Sequence, residues 1–198
     1  MFEIKLIKLN DLISQIGDTK TKSYLSGFFC SKNLDVQYFI QNKAIAFEKT
    51  NKATTYLLFS IEDSIPTEIL AYYTVAQQTF RFVNVSKTKI KKIVGHESCN
   101  RLEHPAILIG QIGRNEKATY RIEGKEIFKS IFSTIERTIT TIGGTKFIYL
   151  ELIHDEKLIS IYESYGFKLL LCNDGTPSKN NGFSIMIMPV DDLKNVKK

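Results

Sequence analysis

Apolar and polar residues alternate from Phe2 to Leu9, the period of a half-buried strand. Asn10 or Asp11 then stands ready to cap a short helix over Leu12–Ile16. Beyond Ser26-Gly-Phe-Phe-Cys30, the positions Leu34, Tyr38, Phe39, Ile45 and Ala46 recur at roughly helical spacing, which predicts a helix over 34–48. Thr54–Ile61 and Ile69–Ala76 are rich in β-forming residues, and Glu62-Asp-Ser-Ile-Pro66 between them reads as a turn. The pair predicts an antiparallel hairpin. Phe80–Val83 predicts one more short strand. Lys87, Lys89 and Lys91 alternate with Thr88 and Ile90, which predicts a short extended piece with one basic face. His96–Pro105 reads as a loop.

The second half has a different rhythm. A buried strand over 106–113 is followed by a polar loop and a long helix over about 122–141, stopped by Gly143-Gly144. A strand over 145–152 leads to a helix over about 155–165, which ends at Gly166 in a left-handed cap. Phe167–Cys172 predicts a strand, Asn173–Gly182 a polar loop, and Phe183–Met188 the last strand. Antiparallel strands come first and a β-α-β-α-β half follows, so the expected fold class is α/β with a mixed sheet. There is no repeat and no linker. One domain over 1–198 is expected, with Lys194–Lys198 a frayed, disordered end.

Composition narrows the class further. A chain of 198 residues can bury a full core, and 43% hydrophobic with 24% charged residues is ordinary for a globular protein. No apolar run approaches the roughly 18–20 residues that cross a bilayer, and the N-terminus lacks a signal peptide's apolar core, so a cytoplasmic protein is expected. Cys30, Cys99 and Cys172 are odd in number, widely spaced and without a C-x-x-C pair, which fits a reducing compartment. The net charge of +6 permits an anionic partner, either a cofactor or RNA, and is spread over both halves of the chain. His96-x-x-Cys99-x-x-x-x-His104 lacks the further ligand of a tight zinc site, so no metal is expected, and the three histidines make no convincing Ser-His-Asp order.

The chemistry points to residues 106–167. A strand feeding a helix through a flexible loop aims backbone N–H groups at one point, a ready site for the phosphates of a cofactor. That helix opens at Arg121-Ile-Glu-Gly124. Tyr162, four residues before Gly166-Phe167, is a candidate proton donor, with Tyr165 its competitor. Glu151 is the nearest candidate base, and the strand over 106–113 carries no carboxylate. Together these parts suggest an acyl-CoA-dependent transferase. Arg81, Lys87, Lys89, Lys91 and Lys92 are candidates for a basic surface, or simply a solvated strand face.

Over roughly residues 25–190 the chain resembles the GNAT superfamily of N-acetyltransferases. The resemblance implies a single-domain fold with a mixed, twisted central sheet and helices on both faces. It also implies acetyl-CoA as acyl donor, attacked directly by a primary amine. In that superfamily the fourth strand, here 106–113, splays from the fifth, here 146–152, and its free backbone groups bond the pantetheine arm. The next loop, usually Q/R-x-x-G-x-G/A, holds the pyrophosphate. The motif maps onto Arg121-Ile-Glu-Gly124-Lys-Glu126, in which Arg121 and Gly124 match and Glu126 replaces a small residue. The cofactor contacts so implied are Gln111, Ile112, Gly113, Arg114, Arg121, Ile122, Glu123, Gly124 and Lys125. The N–H of Ile112 or a neighbour would polarise the thioester carbonyl. The resemblance makes Tyr162 the catalytic acid that protonates the departing thiolate. Phe29-Cys30-x-x-x-Leu34-Asp35, Tyr38-Phe39-Ile40, Ile69–Val75 and Asp155-Glu156 are similar to the subgroup that serves as toxins of toxin–antitoxin pairs. That subgroup acetylates aminoacyl-tRNA, which would add tRNA and an antitoxin protein as partners, and GNAT relatives often form homodimers. The alternative is a non-catalytic module of the same fold that binds an acyl-CoA or a protein partner.

Overall fold

The computed structural model describes residues 3–63 and 65–193; Phe2 and the tail Lys194–Lys198 lie outside the described residues. The elements are β1 (Glu3–Lys8), α1 (Leu9–Ser26), α2 (Leu34–Tyr38), a π-helical turn (Phe39–Lys43), α3 (Ala44–Lys49), β2 (Thr54–Glu62) and β3 (Ile65–Arg81). Then follow α4 (Lys87–Val94), β4 (Glu103–Arg114), α5 (Gly124–Ile142), β5 (Phe147–Leu152), α6 (Glu156–Ser164), β6 (Lys168–Leu169), β7 (Lys179–Asn180) and β8 (Phe183–Pro189). The strands align as β1-β2-β3-β4-β5-β8-β6, with β7 on β8. Antiparallel pairs flank a parallel β4–β5 pair, so the sheet is mixed, as expected. The chain forms two compact units, Met1–Ala76 with Gly110–Ile131, and Gln77–Ile109 with Phe132–Lys198.

In the first unit, the β2–β3 hairpin forms where expected, and β1 pairs along β2 from Glu3 opposite Ile61 to Lys8 opposite Tyr56. Strand alternation sends neighbouring side chains to opposite faces. Tyr72 donates its hydroxyl to the Val36 carbonyl of α2 at 2.6 Å, whereas Tyr73 bonds Ser130 of α5. Helices therefore cover both faces here. Leu9, Leu25, Val36, Phe39, Ile40, Leu57, Phe59 and Tyr72 fill the core under α1–α3.

The first helix is far longer than the Leu12–Ile16 expected from the sequence, and Leu9 belongs to it rather than to β1. Its middle, Gly17-Asp-Thr-Lys-Thr-Lys22, is polar and hides the period; a kink at Gly17 (φ 76°) redirects the second half so that Leu25 reaches the core. The helix over 34–48 is interrupted by the π turn, which places Phe39 and Ile40 together in the core.

In the second unit, the basic stretch over 87–92 is helical, not extended. The Ser86 hydroxyl accepts the Lys89 N–H at 3.3 Å as an N-cap. Ile90 and Val94, four residues apart, pack on Phe80, Phe82, Phe147, Tyr149, Leu170, Ile185 and Ile187. The helical period of these two apolar anchors outweighs the local alternation of lysines. Ile148, Leu150, Leu152, Met186 and Met188 alternate with that set and are buried on the other face. Phe80–Arg81 is the end of the long β3 rather than a separate strand, and β4 begins at Glu103, inside the expected loop. Of Phe167–Cys172, Lys168–Leu169 pairs with β8, and Leu171 bridges to Pro177. The polar segment 173–182 contains β7, which also pairs with β8.

Candidate active site

In the first unit, β4 ends at Arg114 and hands over to a loop that side chains tie down. Asn115 is its anchor. The amide oxygen accepts N–H bonds from Phe29 and Lys117, both 3.1 Å, and the amide nitrogen donates to the Ile69 carbonyl at 2.8 Å. The Asn115 backbone N–H reaches Leu70 O at 2.8 Å. Glu116 receives the Ser31 hydroxyl at 2.5 Å, and this bond holds its carboxyl below the usual range. The Glu68 carboxylate accepts the N–H groups of Thr119 and Tyr120 at 3.0 and 3.1 Å. Asn115, Glu116 and Glu68 are supports of this loop that sequence reasoning missed. The signal lay in polar residues whose partners are remote in sequence.

Gly113 sits where nothing larger fits. A Cβ there would lie 2.5 Å from Val36 Cγ1, 2.7 Å from Tyr72 Cε1 and 3.1 Å from Phe28 Cζ. Its neighbours Gln111, Ile112 and Arg114 are half-buried on the same strand end. Among the described residues the β4–β5 ladder consists of Ile107 opposite Ile148 and Leu108 opposite Tyr149, so it stops before Gln111.

Past the loop, buried Ile122 pins the start of α5, while Arg121, Glu123 and Lys125 are exposed. The first N–H groups of a helix have no intrahelical acceptor and carry partial positive charge. Here Glu126 turns back so that its carboxylate accepts the Glu123 N–H at 3.0 Å, half of a capping box. Lys125 pairs with Glu123 at 3.0 Å on the surface. The sequence motif has thus become a helix N-terminus flanked by Arg121 and by the Lys125–Glu123 pair, with the Glu126 carboxylate already on one of its N–H groups.

In the second unit, α6 presents Tyr162. Asp155 caps the helix, its carboxylate accepting the Leu158 N–H at 2.9 Å. At the other end Gly166 (φ 92°) takes the left-handed conformation that lets Phe167 N–H return to the Tyr162 carbonyl at 3.2 Å. The Tyr162 ring stands edge-on to Phe167, centroids 6.2 Å apart, and Phe167 stacks on Phe132 of α5. Burial pushes the Tyr162 phenol up to about 12, so it stays protonated through the physiological range. Such a group can give a hydrogen bond or a proton to a thiolate and does not serve as a base at neutral pH.

Glu151, Lys89 and Arg81, named from the sequence, have structural partners. Glu151 accepts the Asn180 amide at 2.9 Å. The Lys89 ammonium donates to the carbonyls of Leu171 and Cys172 at 3.2 and 3.0 Å, and Arg81 lies 3.8 Å from Glu103. Lys87, Lys91 and Lys92 are exposed on α4. His104 is buried with its ring nitrogen on the Arg101 carbonyl at 3.0 Å, and the Cys99 thiol donates to the His96 carbonyl. Among the described residues no group of three His, Cys, Asp or Glu is placed to hold a metal ion, and no helix is long and apolar enough to cross a membrane.

The strand order, the parallel β4–β5 pair and the helices that follow each of these strands define a GNAT fold. The sequence matches no protein-family model and no curated protein. Solved structures do match, along essentially the whole chain. They include AtaT complexed with acetyl-methionyl-tRNAfMet (TM-score 0.70, 16% identity, 99% of this chain and 100% of that one). A mutant of the toxin AtaT bound to the C-terminus of the antitoxin AtaR and acetyl-CoA matches with TM-score 0.63 at 13% identity, covering 100% and 98%. A mutant of KacT matches with TM-score 0.69 at 16% identity, covering 98% and 99%. At these identities the likeness is one of fold.

Proposed function

We propose that this protein is an acetyl-CoA-dependent N-acetyltransferase acting as the toxin of a toxin–antitoxin pair, with the amino group of an aminoacyl-tRNA as acceptor. The observation that carries the reading is the helix N-terminus at Gly124, preceded by Arg121 and a side-chain-anchored loop, in a fold shared end to end with AtaT. Gln111, Ile112, Gly113 and Arg114 at the end of β4, with Arg121, Ile122, Glu123, Gly124 and Lys125, would hold the cofactor through backbone groups and charge. An amine attacks the thioester carbonyl, whose oxygen the Ile112 N–H or a neighbour's would stabilise. Tyr162 would protonate the departing thiolate. Holding amine and thioester together supplies much of the acceleration, so a neutral amine needs no strong base from the protein. The net charge of +6 suits an RNA substrate, because phosphate neutralisation dominates such affinity. An antitoxin protein would be the natural partner, and a homodimer and a cytoplasmic location are compatible with the reading.

One observation favours the second reading, a non-catalytic module that binds an acyl-CoA or a protein. The Glu126 carboxylate occupies the helix N-terminus where a pyrophosphate would sit. Calorimetry with acetyl-CoA on the wild type and on Gly124→Glu separates the two. Micromolar binding lost in the variant, together with acetyl transfer to aminoacyl-tRNA, supports the enzyme. Binding that is lost in the same way but without transfer to any amine acceptor favours the module. Absence of binding by the wild type at millimolar cofactor removes the cofactor site altogether.

A further inference from the structure

The second unit carries a cavity of about 290 Å³ that the transferase reading does not use. Among the described residues its lining combines Ile93 from α4 with Leu169, Leu171, Ile187 and Pro189, and its charged members are Lys89, Lys92 and Lys168 against the carboxylate of Asp192. The Thr176 hydroxyl, with a smaller part from Lys89, holds the Asp174 carboxyl below its usual range. Lys92 and Lys168 are exposed. Lys89 is half-buried, and the two carbonyls it meets account for two of its three N–H donors, which leaves one. An apolar floor under an excess of positive charge recognises a ligand with an apolar body and an anionic head. At about 30 Å³ per water-sized group the cavity holds roughly ten such groups. That is a small molecule rather than a helix or a nucleic-acid strand. Among the described residues no aromatic ring lines it, so a nucleobase has nothing to stack on.

We infer that this cavity is a binding site for a short amphipathic carboxylate, its aliphatic chain on Ile93, Leu169 and Ile187 and its carboxylate among Lys89, Lys92 and Lys168. The site is independent of the acetyl-CoA reading.

Calorimetric titration of octanoate into the full chain tests it, with acetate and octan-1-ol as probes of head and tail alone. Octanoate binding saturates below about 1 mM, whereas each control binds at least about tenfold more weakly, since neither makes both sets of contacts. Lys92→Glu with Lys168→Glu weakens octanoate at least about tenfold, because two attractive charges become repulsive. The gentler Lys92→Gln with Lys168→Gln pair replaces it if the first does not fold. Saturating acetyl-CoA leaves octanoate binding unchanged. The inference is overturned by absence of saturable octanoate binding, by equal binding of octan-1-ol, by indifference to both lysine pairs, or by competition from acetyl-CoA, which would place octanoate in the cofactor site.

Discussion

Replacing Gly113 by alanine adds one methyl group to a place with no room for it. The new Cβ would meet Val36 Cγ1 at 2.5 Å and Tyr72 Cε1 at 2.7 Å, well inside van der Waals contact. Neither neighbour yields easily. Val36 is β-branched and helical, so its χ1 is stiff. The Tyr72 ring is fully buried, edge-on to Phe28 and parallel to Phe39, and moving it stretches its 2.6 Å bond to Val36 O. Overpacking of this kind costs about 1–3 kcal/mol. For a chain of this length each kcal/mol lowers the melting midpoint by about 2–4 °C, so Gly113→Ala should fall by roughly 2–12 °C. The double variant Gly113→Ala with Val36→Ala removes the tightest contact. Its loss should be smaller than the sum of the single losses, with a coupling of at least about 1 kcal/mol. Denaturant unfolding of the four proteins measures this. Additive losses, or a Gly113→Ala midpoint within about 1 °C of wild type, would refute the steric account and leave Gly113 to be explained by the cofactor alone.

Tyr162→Phe should lower kcat by about 10²–10⁴-fold if the phenol is the general acid, and a loss below about threefold refutes that role. Glu126→Gln keeps an oxygen for the Glu123 N–H but removes a negative charge from the helix N-terminus. Acetyl-CoA should then bind about two- to tenfold more tightly by calorimetry, and unchanged affinity would mean that Glu126 does not face the phosphates. Burial holds the phenols of Tyr149 and Tyr162 up at about 12 and that of Tyr72 higher still. An unfolded chain releases these protons near pH 10. The folded state therefore binds more protons between about pH 10 and 12, and stability falls as pH rises through that window. Tyrosinate absorbance should show the protons of these three still bound above about pH 10, whereas their release near 10 with the fold intact would contradict their burial.

Much was legible in the chain. The β2–β3 hairpin, the strands β4 and β5 and the α6 helix with its Gly166 cap follow from local periodicity and end signals, which act within one or two turns. The GNAT resemblance rested on the same segments. Where local signals conflicted, tertiary contacts decided. The lysine-rich stretch over 87–92 alternates like a strand, yet Ile90 and Val94 gain more by burying one helical face against Phe147 and Ile187. The polar middle of α1 offers no period, and Leu9 and Leu25 at its ends hold it in the core.

The chemistry divides the same way. Arg121, Gly124 and Tyr162 were named from spacing, because a helix N-terminus and a helical register are local facts. Asn115, Glu68 and the cage around Gly113 were not, since the partners that anchor them to other elements lie far away in the chain; Phe29 and Ile69 for Asn115 and Thr119 for Glu68 are 46 or more residues off. The amino-acid order by itself determined most of the strands and the later helices, and it marked Arg121–Gly124 as a helix start. Only the folded chain decided that Gly113 is caged by Val36, Tyr72 and Phe28, that Lys89 reaches the carbonyls of Leu171 and Cys172, and that Glu68 holds the N–H groups of Thr119 and Tyr120. Hydrogen bonds and steric exclusion act over a few ångströms, and only folding brings residues remote in sequence that close.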